Sequence, residues 1–154
     1  MFEGHHYQNA YICDDIEAAI GMFRARGHDG QIRVIETSQP VDTPQGEVVM
    51  SNRLAFAWVG DMQYELIQPV SDPLGLYANA PGNGGPLRFH HICMRIDDWD
   101  DFRTRVSEQD LPVVIEGGSG DRLKFLYLDA RKVIGHYLEY TWMTDAQWDQ
   151  IRRI

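Results

Sequence analysis

The chain has 154 residues, a hydrophobic fraction of 44%, 11% aromatics and a formal charge of −9. That size fits one domain, or two small modules sharing a core. No block of Lys or Arg offers the basic face that nucleic acid or an anionic membrane requires, so both are excluded in favour of a small-molecule partner.

The cysteines, Cys13 and Cys93, each lie in an apolar run and form no Cys-x-x-Cys pair. They read as buried, reduced thiols and not as a disulfide framework or a thiolate zinc site. The opening MFEGHHYQ is too polar for a signal peptide, and no apolar run approaches the ~18 residues of a membrane span. A cytoplasmic protein is expected.

In chain order, a short apolar strand begins at Gln8. Asp14 or Asp15 then offers an N-cap oxygen to a helix in which Ile16, Ala19, Ile20 and Phe23 recur at helical spacing. Glu17 complements the dipole of that helix and Gly27 ends it. Three β-like runs follow, at 31–38, 52–59 and 62–68. Residues 70–88, rich in Pro, Gly and Asn, read as a linker; their glycines precede a strand instead of opening a helix, so they form no phosphate loop.

The pattern then repeats. His91 stands where Gln8 stood, and each is followed seven residues later by an acid, Asp98 matching Asp15. Asp97 or Asp98 caps a helix over 98–109. Runs at 112–116, 122–129 and 136–142 follow, with Gly117 to Asp121 as a hairpin turn between the first two. A last helix covers 144–153. The order is βαβββ twice, module one over 5–69 and module two over 89–142, an α+β fold with one curved mixed sheet.

Strand alternation selects the chemistry. Gln63, Glu65 and Ile67 share one face of their strand; Tyr137, Glu139 and Thr141 share one face of theirs. An acid in the middle of an apolar strand is costly to bury unpaired, and Glu65 and Glu139 occupy matched places. Gln8 and His91 are the other matched pair, with His90 assigned to the outer face. If the modules pack with pseudo-twofold symmetry, the four side chains converge. One imidazole, one amide oxygen and two carboxylates suit a single divalent ion: Zn, Ni, Co, Mn or Fe, in no order the sequence determines. His6, two residues before Gln8, is the alternative fourth ligand. Arg95, on the face of His91, is a candidate substrate anchor, and Phe125, Tyr127 and Tyr137 are candidate cavity aromatics.

Four pieces in register carry a family resemblance: Gln8-x-Ala-Tyr-Ile with Asp15-Ile16, Tyr64-Glu65-Leu66-Ile67-Gln68-Pro69, His90-His91-Ile92 with Asp98, and Gly135-His136-Tyr137-Leu138-Glu139-Tyr140. In these the chain resembles the vicinal oxygen chelate superfamily of glyoxalases, methylmalonyl-CoA epimerases, extradiol dioxygenases and bleomycin-resistance proteins. The resemblance implies metal ligands Gln8, Glu65, His91 and Glu139, in the order a glyoxalase-type lyase uses. It also implies metal-assisted proton transfer next to a carbonyl, Glu139 taking the proton and Glu65 returning it. Extradiol dioxygenases use two histidines and one glutamate, so Gln8 stands against that branch; an Fe(II) dioxygenase and a metal-free binding or resistance protein are the alternatives. No basic cluster surrounds the motifs to receive glutathione or CoA. Trp148 and Ile151 form an apolar stripe on the last helix, from which a homodimer is expected.

Overall fold

The computed structural model describes residues 2–78, 80, 82 and 84–153. Module one comprises β1 (His5–Ile12), α1 (Ile16–Ala25), β2 (Ile32–Thr43), β3 (Gly46–Val59) and β4 (Met62–Ser71). Module two comprises β5 (Arg88–Arg95), α2 (Trp99–Ser107), β6 (Val113–Ser119), β7 (Leu123–Leu128), a one-turn α3 (Arg131–Ile134) and β8 (Tyr137–Met143), and α4 (Asp145–Arg152) follows. The expected double βαβββ order is present, and the eight strands close into one barrel, β1-β4-β3-β2-β6-β7-β8-β5. The modules therefore pair within the chain: β1 lies antiparallel to β5, and β2 meets β6 at Asp42 and Glu116.

Local chemistry explains the helix boundaries. The Asp15 carboxylate accepts from the N–H groups of Glu17 and Ala18, and Asp98 accepts from Asp101 N–H. Each satisfies donors that a first helical turn leaves free. Helix α1 buries Ile16 and Ala19 against Ala55 and Leu66, and α2 buries Phe102 and Val106 against Leu126 and Tyr140. Both helices cover the outer sheet face, and a further apolar cluster (Val41, Met50, Ile67, Ile115, Phe125) fills part of the interior.

Three expectations need correction. Strands β2 and β3 are longer than foreseen, a continuous ladder from Ile32↔Ala57 to Thr43↔Gly46. Pro40 is tolerated inside β2 because the other edge of that strand pairs only at Asp42, so no ladder partner misses its N–H. Gly117 and Gly118 belong to β6 and not to the turn, which lies at 120–122. A Cβ on Gly118 would come within 2.2 Å of the Leu123 carbonyl oxygen, so only glycine permits this close strand approach.

The connector between the modules is also more than a tether. Asp72 accepts from the N–H groups of Leu76, Tyr77 and Ala78, winding the segment back so that Leu76, Tyr77 and Ala80 are buried among Ile67, Tyr127 and Tyr137. It plugs one end of the barrel. Helix α4 packs at the other. Trp148 meets Tyr7 edge-on at 5.0 Å, and the Trp58 indole N–H donates to the Ile151 carbonyl at 2.9 Å. The Trp148–Ile151 stripe is thus partly buried on its own domain, because Tyr7, Trp58 and Met143 supply an apolar partner that the sequence does not reveal. No helix among the described residues is long and apolar enough to cross a membrane.

Candidate metal centre

Strand register builds the site. In module one Gln8 pairs with Gln63 across the parallel β1–β4 ladder, and Glu65 lies two residues beyond. In module two His91 pairs with Tyr137 across the parallel β5–β8 ladder, and Glu139 lies two residues beyond. The offset is the same in both halves. The β1–β5 seam then sets Gln8 against Cys93 and Ala10 against His91, which brings the pairs face to face. One ligand atom from each of Glu65, His91 and Glu139 lies within 4.8 Å of the others, and all three residues are buried.

A paired irregularity orients this cluster. The β1–β5 register slips twice, leaving Tyr7 as the extra residue on β1 and His90 as the extra residue on β5. A β-bulge re-aims the side chains beside it. Each bulge sits immediately before a ligand candidate, so Tyr7 and Gln8 are both buried, as are His90 and His91. The outer-face assignment of His90 fails for this reason. His6 falls on the far side of the slip, exposed, with Nε2 within 2.9 Å of Asn9 Oδ1, and does not join the cluster.

The two histidines determine each other's tautomer. His90 Nε2 is 3.0 Å from the Leu76 carbonyl, so it must donate. Burial holds His90 neutral, with its pKa pushed down to about 3, so its Nδ1 keeps a lone pair. His91 Nδ1 is 2.9 Å from that lone pair and must be the donor. Burial also pushes His91 down to about 3, so its Nε2 bears a lone pair too. That nitrogen lies 2.9 Å from Glu139 Oε2 and 3.6 Å from Glu65 Oε2.

This contact is not an ion pair, because the imidazole is neutral. Two lone pairs at 2.9 Å repel unless a proton or a cation lies between them. Burial supplies the proton: it pushes the Glu139 carboxyl up to about 8, and it raises Glu65 well above the carboxylate range, with Glu139 adding to that rise. A divalent ion would serve in its place. One imidazole nitrogen and two carboxylates form a borderline-to-hard donor set, and the His91 ring is held by an outer partner in the manner usual for metal-ligating histidines. The residues therefore fit the metal that the sequence suggests. The Gln8 amide donates from Nε2 to Gln63 Oε1 at 2.8 Å, and both side chains line the adjoining cavity.

That cavity, of about 260 Å³, lies within the barrel and opens in part to solvent. Phe125 and Tyr127 line it as expected, whereas Tyr137 lies behind His90, with ring centroids 4.8 Å apart. Arg95 also lies outside it: its guanidinium pairs with Asp145 at 3.0 Å and stacks over Trp148, fastening α4 to the barrel. The sequence reading missed Tyr7, Asn52, Tyr77 and Arg33, which line the cavity as well. The apolar Leu74, Leu76 and Tyr77 in an otherwise polar connector were the available signal for a buried segment.

The family model described as the glyoxalase/bleomycin resistance protein/dioxygenase superfamily matches residues 7–127. No curated protein matches the chain by sequence. Among solved structures, a hypothetical protein from Bacillus halodurans C-125 aligns with a TM-score of 0.62 at 14% identity, covering 91% of this chain and 94% of its own. Methylmalonyl-CoA epimerase from Streptomyces coelicolor, in complex with 2-nitronate-propionyl-CoA, gives 0.61 at 14% identity over 92% and 98%. The Mycobacterium tuberculosis epimerase gives 0.62 at 10% identity over 94% and 91%. At these identities the likeness is one of fold, and it agrees with the motif order and the barrel topology. The chain belongs to the glyoxalase/bleomycin resistance protein/dioxygenase superfamily.

Proposed function

We propose that this protein is a divalent-metal-dependent enzyme that moves a proton next to a carbonyl in a small, oxygen-chelating substrate, as an epimerase, isomerase or glyoxalase-type lyase does. One observation carries the reading: two buried carboxylates, Glu139 and Glu65, lie 2.9 and 3.6 Å from the same nitrogen of a buried, neutral histidine. Glu65, His91 and Glu139 would hold the ion, with Gln8 as fourth donor. A bound ion supplies Lewis acidity, which polarises a carbonyl and lowers the acidity barrier of the adjacent C–H.

The residues provide the rest. Glu139, nearest His91, takes the proton, and Glu65 on the other side of the imidazole returns it. Burial disfavours the charged form of both carboxylates whereas a bound ion would favour it, and the balance of the two would set their basicity for proton abstraction near neutral pH. Phe56, Leu54 and Phe125 line the cavity and exclude water from the exchanged proton.

The test is solvent exchange. Zinc- or cobalt-loaded protein in D2O, given a panel of 2-hydroxy acids, 2-oxo acids and acyl thioesters, should wash deuterium into the α-carbon of at least one member. Glu139→Gln keeps the shape but cannot accept a proton, and should slow that exchange by more than ~100-fold. Exchange at the wild-type rate in this variant moves the base to another group, and a panel with no exchange sinks the reading.

A further inference from the structure

The cavity has a second polar feature, remote from the metal centre. Strand β2 contributes alternate residues to its wall, Arg33, Ile35, Thr37, Gln39 and Val41. Arg33 is the only lysine or arginine among the lining residues. It is half-buried, and it makes no ion pair or hydrogen bond among the described residues. Arginines elsewhere are engaged: Arg53 with Glu17 and Glu36, Arg88 with Asp14, Arg103 with Glu116. A guanidinium has five donors in a planar fork. Leaving them unpaired in the wall of a cavity, in a chain of net charge −9, marks a place where an anion docks.

Register gives the distance. Arg33 pairs with Phe56, Phe56 with Glu65, Glu65 with Ala10, and Ala10 with His91. One row of the barrel thus runs from Arg33 to the metal centre. Arg33 lies two strands from Glu65, roughly 10 Å between backbones at the usual strand spacing. Phe56 occupies the position between, and Leu54 and Ile35 line the cavity beside it.

We infer that Arg33 is a specificity-determining residue that receives a carboxylate, so the substrates are anions with chelating oxygens at one end, an apolar body across Phe56 and a carboxylate at the other end. The substrate class rests on the metal-centred reading above, whereas the anion subsite stands without it.

Two probes separate the ideas: 4-carboxymandelate, which has a 2-hydroxy acid at one end of a ring and a carboxylate at the other, and 4-methylmandelate, which lacks the distal charge. Calorimetric titration of the zinc-loaded protein should give at least about tenfold tighter binding of 4-carboxymandelate, the scale of a charge-assisted contact. Arg33→Gln should equalise the probes without lowering the melting temperature, and Arg33→Lys, a point charge without the fork, should retain part of the preference. Equal affinity for the wild type, a preference that survives R33Q, or no binding of either probe overturns the assignment. Repeating the titration after chelation tests the other reading separately. A preference unaffected by zinc removal leaves the subsite and sinks the metal-held substrate end; zinc-dependent binding without preference does the reverse.

Discussion

The two modules share one plan and divide its work differently. Each places a bulge before its first-strand ligand candidate and a glutamate two residues past the residue paired with that candidate. Module two fixes its side chains more firmly: His91 is fully buried, its tautomer latched through His90 to Leu76, and all but one residue of β8 are buried. Module one has the more open wall: its long β2–β3 ladder is partly exposed, and it contributes Arg33, Asn52 and Phe56 to the cavity lining. Matched backbones therefore do not imply matched roles. Both modules bury polar side chains, Gln8, Gln63 and Glu65 in one and His90, His91 and Glu139 in the other. What separates them is the partners that hold those groups, a chain from His91 to the connector in one and an amide pair in the other.

The largest test of this asymmetry is ligand deletion. His91→Ala and Glu139→Ala should leave the purified protein without its divalent ion, and Gln8→Ala should only weaken binding, as read by elemental analysis after dialysis. Full metal content in the first two variants would remove the centre from module two. A neutral amide is the weakest of the four donors, so an equal loss in Gln8→Ala would mean that the amide holds the ion as firmly as the imidazole and the carboxylate do.

The next test addresses the latch. His90→Phe keeps a ring of similar size but cannot accept from His91 Nδ1–H. It should lower zinc affinity by roughly 10–100-fold, the scale for losing an outer partner of a ligating histidine, measured by competition with a chromophoric chelator. Unchanged affinity would show that packing alone orients His91.

The smallest effect is a pH slope in the metal-free chain. Folding raises the Glu139 carboxyl to about 8 and raises Glu65 as well, so the folded state keeps protons that the unfolded state has lost. This contribution to stability is full below the ordinary carboxylate range and disappears as pH rises through about 8. His90 and His91 have their pKa values lowered to about 3, so their contribution is present above the ordinary histidine range and is lost on acidification. Between about pH 6.5 and 8 the carboxylates dominate; nearer the ordinary thiol value the buried Cys13 and Cys93, both raised by burial, add to the slope in the same direction. The melting temperature of the metal-free chain should fall across that window, and zinc should flatten or reverse the slope by favouring the deprotonated pair. A flat profile without metal would mean that the two carboxylates reach water.

Much of this was legible in the sequence. The seven-residue offsets and helical spacing of apolar residues gave the double βαβββ order, and strand parity singled out Glu65 and Glu139 as interior acids. The bulges were not legible, because each depends on the partner strand: nothing local in His5-His6-Tyr7-Gln8 says that Tyr7 is extra. His90 was misplaced and His6 over-weighted for the same reason. Arg33 escaped notice because its row to Glu65 passes through two long-range ladders. Arg95 showed the right parity beside His91, yet the Asp145 carboxylate and the Trp148 ring, both on α4, claim it.

The Leu76 carbonyl that receives His90 Nε2–H has a consequence for ancestry. Two identical half-chains joined across a twofold axis would present like donors from both sides, and either half could replace the other. Fusion introduces a single connector, and although here it packs against both halves, its Leu76 carbonyl meets the histidine of one half only. Two half-chains without the connector could pair their strands, but neither would bring the carbonyl that orients the histidine. The peptide that permits one chain to carry both repeats is also what makes them no longer interchangeable.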